Sequence, residues 1–312
     1  MFGKILLYLA ITLCIFVFGL FGYIYIFQET KTLNQETRNE IGGSFIELSQ
    51  GNVFYELKGP DSGQTVILIH GAGSGCYAWD NNFDFLVKSG FRVLRYDLYG
   101  RGFSDRPDVK YDTTLFLNQL EEITKNLKVK PPYSIVSVSM GSSIAIPFAK
   151  NNIGKVKDLV LVDPASLGDG NIAWYLTKPV LSSLLMSLYW YPRAVEKQMK
   201  EFYKPSAVLE YRLKSKEQFK YRGLKAAMLS SWQNMLTLNF KKHLDYLGHT
   251  KTNVLIVWGK NDPLISPEVS KHYMESMPQA KLVEIDKAGH LSNYERPDAF
   301  NKALLTFLTD EK

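Results

Sequence analysis

The chain has 312 residues, of which 46% are hydrophobic and 22% are charged. These are the proportions of an ordinary globular protein, so they exclude a wholly disordered or collagen-like chain. Lysine and arginine number 37 against 31 acidic residues, which gives a net charge of +6 without the long run of like charges that marks a nucleic-acid-binding arm. A mild basic excess of this size also fits a protein beside an anionic membrane.

Cysteine and histidine patterns exclude several kinds of site. Cys14 lies inside an apolar stretch, which leaves Cys76 as the single cysteine in the rest of the sequence. One cysteine cannot form an internal disulfide framework or a cysteine-based metal site. The histidines outside the motifs described below show no metal-ligand spacing. We therefore predict no metal site and no cofactor, and the cysteine count leaves the compartment open.

The N-terminus begins with a long apolar segment. No charged residue occurs between Lys4 and Glu29. An α-helix over the 23 apolar residues that follow Lys4 would span about 34 Å, enough to cross the hydrocarbon core of a bilayer. The segment is longer than the apolar part of a signal peptide and does not end in small residues suited to cleavage. We predict an uncleaved transmembrane anchor over residues 1–28, with Tyr23 and Tyr25 at the interface.

The orientation of this anchor depends on few charges. Lys4 and the terminal amine favour a cytoplasmic N-terminus, whereas Lys31 and Arg38 lie just beyond the other end. Positive charge is retained on the cytoplasmic side, and acidic residues contribute little to that rule. The expectation is an N-terminus inside, with the rest of the chain on the outer, non-cytoplasmic face.

Short runs with strand composition follow a polar tether over residues 29–43. The first two runs flank Gly51-Asn52, which predicts an antiparallel hairpin. Later runs such as TVILI and LVLV are apolar at every position, which is typical of parallel strands buried on both faces. The predicted strands are residues 44–48, 53–57, 65–70, 92–96, 133–138, 158–162, 253–258 and 281–285.

Helical patterns alternate with these strands, at residues 79–88, 113–127, 140–151, 267–276 and 297–308. Such alternation predicts an α/β fold with a doubly wound, mostly parallel, eight-stranded sheet and helices on both faces. Residues 166–252 break the alternation, because they contain no convincing strand. An insertion of that size is most simply a helical cap over the carboxyl ends of the strands. The predicted core is residues 44–165 and 253–312, and the predicted cap is residues 166–252.

The strongest chemical signal lies where the strand at residues 133–138 meets the next helix. The sequence there is Ser137-Val138-Ser139-Met140-Gly141. It resembles the G-x-S-x-G nucleophile elbow of the α/β-hydrolase superfamily, with Ser137 in place of the first glycine. The nucleophile of such an elbow sits on a strained turn, so the residues two before and two after it must be small. Ser137 and Gly141 both meet that requirement.

Four further stretches resemble the same superfamily and extend the likeness over residues 44–312 outside the cap. The sequence HGAG at residues 70–73 follows a strand where this fold places its oxyanion-hole loop, and DLYGRGFSDRP at residues 97–107 is similar to its D-x-x-G-x-G-x-S loop. WGKND at residues 258–262 and AGH at residues 288–290 resemble its acid and histidine loops. The order serine, acid, histidine is the chain order of that fold.

This resemblance implies a catalytic triad. Ser139 would attack a carbonyl carbon, and His290 would take the serine proton and later pass one to the leaving group. Asp262 would fix the imidazole tautomer and stabilise the imidazolium. Asp163 is a rival acid, because some members of the fold carry the acid after that strand. Its neighbour Pro164 and the well-formed loop of Asp262 favour a structural role for Asp163.

The resemblance also implies an oxyanion hole. Its expected donors are the backbone N–H groups of Ala72 and Met140, since the helix that begins at Met140 directs N–H groups toward the oxyanion beside the serine. His70 and Gly71 are expected to support this loop. His70 would orient it by hydrogen bonding, and it is not the expected base.

These features favour a membrane-anchored serine hydrolase of carboxylic esters. A lipophilic acyl ester is the expected substrate, because residues 173–191 of the cap are strongly apolar and aromatic. The alternative is a C–C bond hydrolase of the meta-cleavage type, whose HGxG and S-M-G loops look similar but whose substrates are soluble dienoates. A non-catalytic binding scaffold of the same fold is a third possibility. No nucleic-acid partner is predicted, and the acyl length and oligomeric state stay open.

Overall fold

The computed structural model describes residues 2–310. Within that range the side chains at positions 6, 10, 13, 16, 17, 21 and 25 are not described. The first residue of the predicted anchor, the last two residues of the predicted core and the side chain of Tyr25 therefore lie outside the described residues.

One eight-stranded sheet forms the centre of the molecule. Its strands are β1 (Ser44–Leu48), β2 (Gly51–Lys58), β3 (Thr65–Ile69), β4 (Arg92–Tyr96), β5 (Tyr133–Val138), β6 (Val156–Val162), β7 (Asn253–Gly259) and β8 (Lys281–Ile285). Their order across the sheet is β1-β2-β4-β3-β5-β6-β7-β8. Strand β2 pairs antiparallel with β1 and β4, and all other neighbours are parallel. The predicted eight-stranded, mostly parallel sheet is confirmed.

Helices cover both faces of this sheet, and each face has its own apolar core. In chain order the helices are α1 (Phe2–Phe27), α2 (Gln35–Ile41), α3 (Asp80–Lys88), α4 (Thr113–Asn126), α5 (Ser142–Asn151), α6 (Pro179–Leu185), α7 (Ala194–Met199), α8 (Leu209–Gln218), α9 (Leu224–Asn234), α10 (Lys241–Leu247), α11 (Ser270–Ser276), α12 (Ser292–Glu295) and α13 (Pro297–Thr309). Successive side chains of a strand point to opposite faces. In β3, therefore, Ile67 and Ile69 pack under α4 and α5, whereas Val66 and Leu68 pack under α3 and α13.

Two predicted helices begin later than their sequence pattern indicates. The helix predicted from residue 140 starts as α5 at Ser142, because Ser139–Gly141 forms a tight 3-10 turn. The helix predicted from residue 267 likewise opens with a 3-10 turn, Pro267–Val269, before α11. A 3-10 turn shares the i, i+3 spacing of an α-helix, so the hydrophobic pattern does not separate the two.

Residues 166–252, called the cap below, join β6 to β7. Helices α6 to α10 lie in this segment, and among the described residues its extended pairing consists of two isolated bridges, Leu167 with Asn239 and Tyr221 with Lys31. The cap helices are short and are separated by 3-10 turns and one π-helical turn, Met186–Trp190. A separate apolar cluster holds the α6 region against α9, with Met186, Leu224 and Met228 among its buried members.

Helix α1 covers the predicted anchor. Many of its described apolar side chains are exposed, including Phe2, Ile15, Phe18 and Phe27. Among the residues that the structure describes, no helix combines the length and apolar character needed to cross a membrane. The predicted anchor is therefore not confirmed.

The segment after α1 is attached to the cap, whereas the sequence predicts a simple polar tether. Residues 28–31, called the strap below, bind two parts of the cap. The Gln28 amide donates to the carbonyl of Ser187 at 2.7 Å, and the N–H of Lys225 donates to the Glu29 carboxylate at 2.6 Å. Lys31 exchanges backbone hydrogen bonds with Lys220 and Arg222. Beyond the strap, α2 begins after Asn34 and contacts the core through an ion pair between Arg38 and Asp105.

Candidate active site

The turn that follows β5 carries Ser139 at a strained backbone conformation. Its φ is +53°, a left-handed value that side-chain-bearing residues rarely adopt. Gly141 is needed two residues later, because a Cβ there would lie 2.8 Å from the carbonyl oxygen of Ile69. Two residues before the nucleophile, the small Ser137 is fully buried and its hydroxyl points to the Val160 carbonyl of β6 at 3.4 Å. The sequence therefore fits the turn despite the missing first glycine.

Parallel strands bring the three predicted triad residues together at one edge of the sheet. Ser139 follows β5, Asp262 follows β7 and His290 follows β8. The Ser139 Oγ lies 2.8 Å from Nε2 of His290, and Nδ1 of His290 lies 2.7 Å from Oδ2 of Asp262. A carboxylate only accepts hydrogen bonds, so Nδ1 carries a proton, and in the neutral ring Nε2 can then accept from the serine hydroxyl. The other oxygen of Asp262 accepts from the N–H groups of Leu264 and Ile265.

The charge of His290 is controlled by the acids around it. The imidazole is buried, which alone would lower its pKa. The hydrogen bond and negative charge of Asp262, together with the charges of Glu201 and Asp163, outweigh burial and raise the pKa of His290 to about 9. The site therefore favours the imidazolium, which is the form that a transferred serine proton would create.

Ala72 and Met140 lie where an oxyanion hole would form. His70 is buried and its pKa falls to about 3 because burial disfavours its charge, so the ring is neutral. Its Nε2 accepts from the N–H of Leu98, and its Nδ1–H donates to the carbonyl of Gly71 at 2.8 Å. Because a peptide unit is planar and trans, that bond also fixes the direction of the Ala72 N–H. The second N–H, of Met140, lies in the first turn of a helix, where N–H groups lack intrahelical partners.

Gly71 and Asp163 occupy supporting positions. A Cβ at Gly71 would lie 3.1 Å from the Cβ of Ser139, so a side chain there would crowd the serine and force a small shift of the loop. Asp163 is fully buried after β6, and its carboxylate accepts from the N–H of Gly259 and from both the N–H and hydroxyl of Ser292. Asp163 thus joins β7 to the helix after His290, while Asp262 contacts the imidazole.

A cavity of about 650 Å³ opens above Ser139 between the core and the cap. The predicted residues Gly71, Ala72, Ser139 and His290 line it from the core side. The cap contributes mostly apolar and aromatic side chains: Trp190, Phe219, Met228, Trp232 and Leu236. Charged cap residues are also present, with Lys197, Lys200 and Glu201 in the wall. An apolar cleft with a few polar groups at one end is the usual form of a small-molecule site.

Two residues of this region were missed by the sequence reasoning. Glu201 reaches the cavity beside His290 from the cap, 89 positions away in the chain, and no motif marks it. Arg101 is fully buried, and its Nε donates to the Ala72 carbonyl at 3.0 Å. The sequence places Arg101 inside the loop at residues 97–107, so its proximity to the oxyanion loop follows from the pairing of β3 with β4.

Comparison with known proteins agrees with this geometry. A family model described as "Alpha/beta hydrolase family" matches residues 66–303, more than half of the chain. The chain belongs to the alpha/beta hydrolase family. The predicted fold family is thereby confirmed, and the enzyme class that it supports is that of a hydrolase.

Individual relatives carry more specific names. A 2-hydroxy-6-oxononadienedioate/2-hydroxy-6-oxononatrienedioate hydrolase of Dechloromonas aromatica is 28% identical over 298 residues, covering 89% of this chain and 99% of that protein. A hydrolase of the same name from Cupriavidus pinatubonensis is 28% identical and covers 88% of this chain and 98% of its own. The crystal structure of an enol-lactonase from Burkholderia xenovorans superposes with a TM-score of 0.73 at 20% identity, covering 86% of this chain and all of that one. The last likeness shows the fold alone.

Proposed function

We propose that this protein is a serine hydrolase that cleaves a bond beside a carbonyl carbon, with Ser139 as nucleophile. The observation that carries the proposal is the continuous hydrogen-bonded relay from Ser139 through His290 to Asp262, which faces the cavity under the cap. A binding scaffold would have no need of a relay with these distances, nor of a strained serine at its end.

Each step of the proposed reaction is assigned to one group of the site. The Ser139 hydroxyl attacks the carbonyl carbon while its proton moves to Nε2 of His290. The carbonyl oxygen becomes an oxyanion and accepts hydrogen bonds from the N–H groups of Ala72 and Met140. His290 then gives its proton to the leaving group, and an acyl-serine remains. Water, deprotonated by His290, attacks that acyl group and releases the acid with Ser139 restored.

Two substrate classes have separate support. The names of the two curated relatives favour the C–C bond alternative, a 2-hydroxy-6-oxo dienoate whose bond beside the 6-oxo carbon is cleaved. The apolar wall of Trp190, Met228 and Trp232 suits an ester with a lipophilic acyl chain. Both reactions use the same relay, because in each the leaving group, an alcohol oxygen or a carbon, must receive a proton. The relatives make C–C hydrolysis the first candidate and ester hydrolysis the second.

A direct assay separates these candidates. Purified protein is incubated with 2-hydroxy-6-oxononadienedioate, with a 2-hydroxy-6-oxo dienoate that lacks the second carboxylate, and with p-nitrophenyl esters and monoacylglycerols of graded chain length. Initial rates are compared with those of Ser139→Ala. Turnover of either dienoate with a higher kcat/KM than any ester supports the first candidate, and the reverse order supports the second. A wild-type protein that turns over neither class faster than Ser139→Ala does would overturn the proposed function.

Membrane attachment through residues 1–28, with the catalytic domain on the outer face, is also part of the proposal. It is supported by the absence of charge between Lys4 and Glu29 and by exposed apolar side chains such as Phe18, 75% exposed. The cap adds the exposed apolar side chains of Val180 and Leu188. We expect the full chain to resist extraction by carbonate and to be released by detergent. Release by carbonate would contradict the anchor and leave the proposed chemistry unaffected.

A further inference from the structure

The cap places Glu201 against the loop that carries His290. The N–H of His290 donates to the Glu201 carbonyl at 2.8 Å. Gly289, just before the histidine, has no room for a side chain, because a Cβ there would lie 2.2 Å from that same carbonyl oxygen. The backbone of Glu201 therefore contacts the loop of His290 directly. These main-chain contacts, and not the side chain of Glu201, determine where the residue lies.

The Glu201 side chain faces the cavity without a protein partner. It belongs to the wall that also contains Ser139 and His290. Across the described part of the chain, no hydrogen bond or ion pair involves its carboxylate. Burial raises the pKa of Glu201 to about 7; the nearby His290 opposes this shift and Asp262 adds to it. Above neutral pH Glu201 therefore adds a negative charge, which accepts no hydrogen bond from the described residues, to the part of the cavity beside His290.

A second negative charge close to this carboxylate is unfavourable. In a partly dehydrated cavity the two charges repel each other, and burial also disfavours the charged form of each group. We propose that Glu201 determines specificity by excluding carboxylate groups from the part of the cavity beside His290, so that the group attached to the scissile carbonyl must be uncharged. The inference rests on the proposed function of Ser139. It assigns Glu201 no part in bond cleavage.

This inference distinguishes the chain's substrate from the compounds in its relatives' names. A 2-hydroxy-6-oxononadienedioate carries its second carboxylate at C9, three bonds from the 6-oxo carbon. Glu201 would repel that carboxylate. The accepted substrate is thus neutral at the end held near His290, whether the bond cleaved is C–C or an ester.

The test measures covalent labelling, which requires no knowledge of the physiological substrate. Two alkyl fluorophosphonates of equal chain length are compared, one ending in a carboxylate and the other in an isopropyl group of the same shape. Second-order rate constants for labelling are measured at pH 8.5, where Glu201 is ionised, in the full-length protein in detergent. We expect the uncharged probe to react faster with wild type, and Glu201→Gln to reduce that ratio by at least about tenfold.

The matched control is Glu210→Gln, an exposed carboxylate of the cap that does not line the cavity. It should keep the wild-type ratio. A general disturbance of the cap would slow both probes equally, so the ratio distinguishes specificity from packing. An unchanged ratio in Glu201→Gln, with Ser139-dependent labelling intact, overturns this inference alone. Absence of Ser139-dependent labelling by either probe in wild type overturns the proposed function and this inference with it.

Discussion

The core loops around Ser139 and the cap helices that face them are specified in different ways. In the core, each triad residue follows a strand, and the parallel sheet brings the ends of β5, β7 and β8 together. In the cap, short helices are held by scattered apolar contacts and by the strap. A residue at a strand end is placed by local sequence and sheet geometry, whereas a residue such as Glu201 is placed by contacts between distant segments.

The core and the cap also differ in what they contribute to the reaction, since the core provides the chemistry and the cap provides the selectivity. The core supplies the nucleophile, the base and the N–H groups, which any substrate with a carbonyl group would use. The cap supplies Trp190, Trp232 and Glu201, which line the cavity and limit which substrates fit there. One fold can carry different activities, because function depends on the residues of the site. Core substitutions should therefore change turnover for all substrates, and cap substitutions should change preference.

The largest expected effect is that of Ser139→Ala. Without the nucleophile, hydrolysis should fall by at least about 10⁴-fold, because the members of a triad act as a unit. The measurement is kcat on the best substrate of either class. Ser137→Ala is the matched control. Ser137 lies in β5, two residues before the nucleophile, and its hydroxyl makes only a long hydrogen bond of 3.4 Å to the Val160 carbonyl. Near-normal turnover by folded Ser139→Ala would show that the core loops do not carry the chemistry.

Asp262→Asn should have the next largest effect. The amide cannot hold the imidazole in the tautomer that accepts from serine, so kcat should fall by about 10³- to 10⁴-fold. Asp163→Asn should act on stability instead, because an NH₂ group would face the N–H of Ser292, a donor. Thermal unfolding and kcat measured on both variants separate the two roles. A well-folded Asp163→Asn with the greater loss of kcat would reverse the assignment of the acid.

The sequence predicted the sheet and the triad because their signals are local. Apolar runs such as that of β3 and the small residues around Ser139 restrict backbone conformation within a few positions. Glu201 has no such signal: its cavity position depends on a backbone contact with His290 across 89 residues. The attachment of the strap to the cap could not be predicted either. Lys31 binds Lys220 and Arg222 through backbone N–H and C=O groups, which do not depend on the type of side chain. The ranking of substrate classes rested on the predicted anchor and on cap composition, and the relatives' names now favour the alternative.

The pH dependence of kcat/KM tests how far the cap influences the core. Activity should rise with pH as His290 loses its proton, with a midpoint above the 6.5 typical of histidine. Glu201→Gln should lower this midpoint by up to about one unit, because one of the negative charges that favour the imidazolium is removed. An unchanged midpoint in that variant would mean that the cap carboxylate does not influence the histidine.

The same shift has a consequence for stability. The pKa of His290 is higher in the folded chain than in the unfolded chain, so the protonated imidazole stabilises the fold. That contribution is complete below about pH 6.5 and is lost as the pH rises toward 9. His290→Gln should flatten this part of the stability–pH curve, measured by denaturant unfolding.

The smallest expected effect on turnover is that of the strap, which acts on the cap alone. Glu29 accepts from the N–H of Lys225 at 2.6 Å and from the hydroxyl of Tyr191 at 3.3 Å. Glu29→Gln should lower the free energy of unfolding by about 1–2 kcal/mol, since hydrogen bonds to a charged acceptor are replaced by weaker ones. Glu36→Gln is the matched control, because Glu36 is an exposed acid of α2. Thermal unfolding and limited proteolysis within the cap are the measurements.

Two truncations extend this test. A chain lacking residues 1–26 keeps the strap, and a chain lacking residues 1–33 loses it. If residues 28–31 hold the cap, the first truncation should match the full chain in proteolysis of the cap and in its preference for uncharged substrates. The second should be cleaved faster within the cap and lose part of that preference, while Ser139, His290 and Asp262 still react with a small fluorophosphonate. Equal behaviour of the two chains would mean that the cap holds its place without the strap, and that the contact of Gln28 with Ser187 is incidental to the site.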